Sequence, residues 1–117
     1  MLALSPQQRI LVAREPLDLR RGADAIAAFC RDERGEDPFS GALFVFRNRA
    51  STSVRVFAFD GQGVWVCTKR WISGRLAWWP AEGDDRLHPV AAQELAVLLY
   101  NGDPSGARFA PDWRRLR

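Results

Sequence analysis

Ala42-Leu-Phe-Val-Phe-Arg-Asn-Arg49, followed by Val54-Arg-Val-Phe-Ala-Phe-Asp60, Val64-Trp-Val-Cys-Thr-Lys-Arg-Trp71 and Arg75-Leu-Ala-Trp-Trp79, is the stretch that decides the fold. Four short runs rich in Val, Phe and Trp have the composition of strands. The segments between them, Arg47–Ser53, Asp60-Gly-Gln-Gly63 and Ile72-Ser-Gly74, are turn-like. Connections this short force neighbouring strands to run antiparallel, so the middle of the chain reads as a four-stranded meander.

Outward from this block, Arg9-Ile-Leu-Val-Ala-Arg14 is an apolar run between charges and reads as a further strand, ended by Pro16. Asp18 is placed to cap a helix reaching about Arg34, with Leu19, Ala23, Ile26, Ala27 and Cys30 on one face and Gly35 as its stop. Asp37–Gly41 is a connector. Beyond Pro80, residues 81–86 form a polar, acidic loop. His88-Pro89 reads as the opening of a second helix, with Ala91, Leu95, Leu98 and Leu99 as its apolar stripe and Asn101-Gly102 as its end. The expected architecture is α+β: an antiparallel meander of four to five strands with two helices packed on it. The 117 residues suit a single domain, 1–117, with a core over about 9–102 and a C-terminal tail over 103–117.

Composition removes several function classes. Hydrophobic residues at 47% and charged residues at 26% are ordinary globular values. No stretch approaches the roughly 20 apolar residues of a membrane helix. The N-terminus lacks a basic segment followed by an apolar one, so a cytoplasmic location is expected and no membrane partner. Cys30, Cys67 and His88 are the whole Cys and His complement, too few for a four-ligand zinc site, so no metal is expected. The two cysteines read as buried thiols acting as small apolar groups. His88 has no Gly-x-Ser-x-Gly elbow to work with. Glu82, Asp84 and Asp85 read as a solvated acidic loop, and Asp60–Gly63 as a hairpin turn, since the rest of a calcium-loop pattern is missing. No catalytic set, cofactor or small-molecule substrate is evident, and the chain is not expected to be an enzyme.

The net charge is +3, and 16 of the 17 basic residues are arginine. Residues 42–79 hold six basic groups against Asp60 alone, +5, while the flanking thirds are each −1. In an up-and-down meander alternate turns share an end. Arg47, Arg49, Arg55, Lys69, Arg70 and Arg75 should therefore gather at one end of the sheet, with Asp60 at the other. Trp71 lies at the basic end, with Trp78 and Trp79 one strand over. Arginine pairs with phosphate in bidentate fashion and tryptophan stacks on exposed bases, so this end is a candidate nucleic-acid contact. The alternative is a solvated rim with the tryptophans in the core. The terminal Arg114-Arg115-Leu116-Arg117 is either a further phosphate grip or a frayed tail.

Several ordered segments carry a resemblance: Asp18-Leu-Arg-Arg-Gly22, Asp37-Pro-Phe-Ser-Gly41, Leu43–Arg49, Asp60-Gly-x-Gly63, Lys69-Arg70, Gly74-Arg75 and Trp79-Pro80. Over about residues 9–102 the chain resembles the small accessory protein of IS66-class insertion sequences. This is the TnpB-type, second-open-reading-frame protein, unrelated to the RNA-guided nuclease that shares the TnpB name. The resemblance implies a non-catalytic helper in DNA transposition, encoded beside a separate transposase that carries the catalytic residues. Its motif positions Arg47, Arg49, Lys69, Arg70, Gly74 and Arg75 overlap the basic cluster. Departures are Thr68, where the family often has an aromatic residue, Phe57-Ala-Phe59, where it often has a Trp pair, and the extended stretch Gly102–Trp113. Two readings follow: a DNA-binding accessory factor, or a protein–protein adaptor for the element-encoded transposase that uses the meander edge or the Trp-rich face.

Overall fold

A computed structural model of the chain describes residues 9–34, 37–80 and 82–106. In chain order the elements are β1 (Ile10–Ala13), α1 (Ala23–Arg34), β2 (Leu43–Arg47), β3 (Ser53–Phe59), β4 (Val64–Arg70), β5 (Leu87–Val90), α2 (Ala92–Leu99) and a 3-10 turn at Pro104–Gly106. The five strands form one sheet in the order β4-β3-β2-β1-β5. The architecture is α+β, as the sequence predicts. Strands β2, β3 and β4 are the antiparallel meander. Strand β1 lies parallel to β2, joined to it through α1, and β5 pairs antiparallel with β1.

The two helices cover opposite faces of the sheet. On one face Ile26, Ala27 and Cys30 of α1 pack on Leu11, Phe44, Phe46 and Phe57. Phe29 meets Phe46 edge-on at 5.8 Å. On the other, Leu95 and Leu98 of α2 pack on Ile10, Val12, Val45, Val54 and Val56. Period-two alternation sends successive side chains to opposite faces, and β1 and β2 are apolar at nearly every position because both of their faces are covered.

Two strand assignments are corrected. Arg75–Trp79 is not a strand: it belongs to a loop that crosses the α2 face, where Trp71, Leu76, Trp78 and Trp79 pack against the core. Its backbone groups find other partners. The Leu76 N–H donates to the Ser51 carbonyl at 2.8 Å and the Ala77 N–H to the Asn101 side-chain oxygen at 2.7 Å. The meander thus has three strands. The fifth strand of the sheet is Leu87–Val90, where the sequence reads as loop and helix start. Pro89 is tolerated there because Arg14 N–H to Arg86 carbonyl sets the hydrogen-bonded pairs of the β1–β5 ladder. By alternation Pro89 occupies a non-bonded position, with its missing N–H toward the open edge.

Both helices start later than expected. Asp18 caps a tight turn, its carboxylate accepting the Arg20 N–H at 3.0 Å, and α1 begins at Ala23. Helix α2 begins after Ala91, whose N–H donates to the Glu94 carboxylate at 2.8 Å. Asn101, at φ 62°, ends it. Gly35, Trp113 and Arg114–Arg117 lie outside the described residues.

Candidate nucleic-acid interface

The β2–β3 connector is built around Asn48. Its side-chain oxygen accepts the N–H groups of Thr52 (2.9 Å) and Ser53 (3.1 Å), and its amide donates to the Thr52 hydroxyl at 2.9 Å. Ser51 takes a left-handed conformation, φ 60°. This tip fixes the path of Arg49. The register Ser53↔Arg70 then brings the end of β4 alongside it. The segment after β1 closes the other side. Leu17 N–H donates to the Arg47 carbonyl at 2.9 Å, and Leu17 and Leu19 pack on the α1-side core.

Between this segment and the end of the meander lies an open groove of ≈ 670 Å³ on the α1 face. Its basic lining is Arg20, Arg49, Arg55 and Arg70, and its neutral donors include Thr52, Ser53 and Thr68. Arg55 is held in place, with Nε donating to the Thr68 hydroxyl at 3.0 Å and Nη1 to the Arg21 carbonyl at 2.9 Å. Its other three N–H donors make no hydrogen bond among the described residues. Arg49 and Arg70 are exposed, and neither side chain has an ion-pair partner among the described residues. Arg20 is paired with Asp18 at 3.0 Å. That hydrogen bond lowers the Asp18 pKa to about 2.

The other three basic candidates share this end of the sheet but not this face. Arg47 lies over the Trp79 ring at 5.7 Å. Its Nη1 donates to the Ser51 hydroxyl at 3.2 Å, its Nε is buried without a hydrogen-bond partner among the described residues, and burial, then Arg49, push its pKa below the usual guanidinium range. Lys69 donates to the Leu99 carbonyl at 2.5 Å, with its ammonium 5.2 Å from the Trp71 ring and 5.3 Å from Tyr100. Arg75 is exposed on the crossing loop, its carbonyl accepting from Asn101 at 3.1 Å. Trp71 is half-buried against the α2-side core. The Trp79 indole N–H donates to the Ala13 carbonyl at 2.9 Å. Asp60 sits at the opposite end, where β3 turns into β4. Its carboxylate accepts from Gly63, Gln62 and the Trp65 indole, and these bonds hold its pKa below the usual carboxylate range.

Sequence reasoning missed Arg14 and Arg20. Arg14 is 9% exposed and ties down the acidic loop. It pairs with Asp85 at 2.5 Å, donates to the Pro80 carbonyl at 2.9 Å and to the Glu82 carbonyl, and lies 2.8 Å from His88 Nδ1. His88 and Asp85 are thus part of a structural anchor. Among the described residues no three Cys, His, Asp or Glu groups gather as a metal site. Arg20 gave one signal, its place in the Asp18–Gly22 segment.

A mainly antiparallel sheet with a helix on each face and an arginine-lined groove at one end makes this a small protein of the α+β class. The family described as "IS66 Orf2 like protein" matches residues 8–107. The chain belongs to that family. It is 33% identical to the uncharacterized protein y4jC of Sinorhizobium fredii over 95% of this chain and 93% of that one. It is also 36% identical to the uncharacterized protein y4hO of the same organism over 88% of each. No solved structure matches. Family membership makes the chain an insertion-sequence accessory protein. No helix among the described residues is long and apolar enough to cross a membrane.

Proposed function

We propose that this protein serves DNA transposition as a non-catalytic factor that grips nucleic-acid backbone in the groove on the α1 face. The observation that carries the reading is the set of Arg49, Arg55 and Arg70 around one open groove with no carboxylate paired to any of them among the described residues. Guanidinium groups match phosphate oxygens in bidentate geometry, and the hydroxyls of Thr52, Ser53 and Thr68 supply the neutral donors that phosphate contacts also use. Such contacts position a protein on nucleic acid and carry little sequence information themselves. Lys69, Arg75 and Trp71 belong to the opposite face and contribute at most to the general field.

The test is fluorescence anisotropy with element-end duplex, scrambled duplex and single strand across a salt series. Backbone contact predicts log affinity falling against log salt with a slope near 0.9 per duplex phosphate engaged. Absence of binding at low salt would overturn the reading. The protein would then act as an adaptor, and capture of the element's transposase by the purified chain would be the assay.

A further inference from the structure

Strand β4 is one of the two edges of the sheet among the described residues, opposite the β5 edge that carries Pro89, and all seven of its residues are exposed. Val64, Trp65 and Val66 are 40%, 57% and 42% exposed. Sheet edges are normally blunted by charge, proline or a bulge, yet Val64–Thr68 carries none of these. Charge returns only at Lys69 and Arg70.

The backbone of this edge has a definite register. At the two ends of the β3–β4 ladder, Trp71 N–H donates to the Thr52 carbonyl at 2.9 Å and Asp60 N–H to the Gly63 carbonyl at 3.0 Å. Hydrogen-bonded and non-bonded pairs alternate between them. Trp65, Cys67 and Lys69 therefore spend their backbone groups on β3. Val64, Val66, Thr68 and Arg70 present theirs to the open edge.

We infer that the edge is occupied by a second copy of this chain, paired antiparallel through β4 about a two-fold axis at Cys67. In that register Val66 lies opposite Thr68 of the second copy and Val64 opposite Arg70, so all four outward-facing residues are bonded. A shift of two residues in the pairing, to an axis at Val66 or at Thr68, leaves one of the four against a residue outside the strand. Charge favours the same arrangement. Lys69 of each copy comes opposite Trp65 of the other, whose indole N–H already rests on Asp60 at 2.7 Å. The basic ends of the two strands are kept apart. An isologous pairing of this kind closes on itself and leaves no further β4 edge. Both grooves then open on the same side of a continuous sheet.

Cys67 reports the register. On the axis it faces its own copy in a non-hydrogen-bonded pair, about 4.5 Å between Cα atoms. That distance falls within the span a disulfide bridges. Cys30 is buried, as the sequence reading expects, and does not compete; Cys67 is exposed because it lies on the edge strand, against that expectation.

The experiment needs no nucleic acid, so its result is separate from the DNA-binding reading. Light scattering on the reduced protein should give twice the 13.2 kDa chain mass. Diamide, a two-electron oxidant that takes both thiol protons and both electrons, should link wild type into a covalent dimer. It should leave Cys67→Ser unlinked but still dimeric by mass. Val66→Pro removes an outward N–H while sparing the β3 ladder, and should give a folded monomer by circular dichroism and scattering. If that variant fails to fold, Val66→Lys, which keeps the N–H, makes the same test. A wild-type monomer mass, a dimer that diamide does not link, or a dimer that survives the folded position-66 variant overturns the proposal.

Discussion

Arg47 and Arg70 lie at the same end of the sheet and serve opposite faces of it. Arg47 closes β2 with its guanidinium over the Trp79 ring, while Arg70 closes β4 and lines the groove beside Arg49 and Arg55. Arg47 is held by packing and by Nη1 donating to the Ser51 hydroxyl at 3.2 Å, with a buried Nε that no acceptor reaches among the described residues. Arg47→Met keeps the contact area and removes the unpaired Nε along with the Nη1 bond to Ser51, so it should change stability by no more than about 1 kcal/mol. Arg47→Ala should cost about 1–2 kcal/mol through lost packing. Denaturant melts of the two variants check this, and a large loss in Arg47→Met would contradict it.

Asn48 bonds three groups in the tip that carries Arg49. Asn48→Ala leaves the Thr52 and Ser53 N–H groups to water or to nothing, at a cost of about 1–3 kcal/mol. The expected result is a lower melting temperature together with weaker nucleic-acid binding. Asn101→Ala, which frees the crossing loop from the end of α2, should lower stability without touching the groove.

Gly83 sits at φ 138° with the Arg14 guanidinium so close that an added Cβ would lie 2.4 Å from it. A side chain there is strained and displaces the anchor that holds the acidic loop. Gly83→Ala should destabilise by about 1–3 kcal/mol, read as a drop in thermal midpoint. A midpoint equal to wild type would show that the anchor relaxes freely.

Acid should loosen the groove wall and the hairpin end. Asp18, Asp60 and Asp85 all titrate below the ordinary carboxylate value, held down chiefly by Arg20, by the Gly63 and Gln62 N–H groups, and by Arg14 respectively. Depressed carboxylates contribute stability above their unfolded value near 3.8, and lose it as pH falls through the folded one. The stability curve should be flat from these groups above about pH 5 and decline below pH 4. Asp18→Asn should flatten the part of that decline that reaches toward pH 2. Chemical denaturation at stepped pH measures it.

The elements with strong local signals were legible in the sequence. The apolar runs at Ile10–Ala13 and Leu43–Phe46 and the polar turn at Asp60–Gly63 are where the reading placed them. The same runs are continuous rather than alternating, the mark of a sheet covered on both faces, as the structure shows. Arg75–Trp79 misled because Leu and Trp suit a strand and a covering loop equally well, and the Asn101 bond to Ala77 that decides between them is long-range. Leu87–Val90 misled because Pro89 is a helix opener by local rule and an edge-strand residue by its register with Leu11. Turn geometry put the basic residues at one end. The division between the two faces depended on how the Pro16–Arg20 segment folds over, which no local pattern announces.

The central claim is that one face of the basic end, and not its charge as such, engages nucleic acid. Two double variants with equal net charge test it directly: Arg49→Ala with Arg70→Ala in the groove, and Lys69→Ala with Arg75→Ala on the other face. Salt-series anisotropy on the same duplex should show the groove pair reducing the salt slope by about 2, with the opposite-face pair close to wild type. Equal losses from both pairs, or the greater loss from Lys69 and Arg75, would contradict the account.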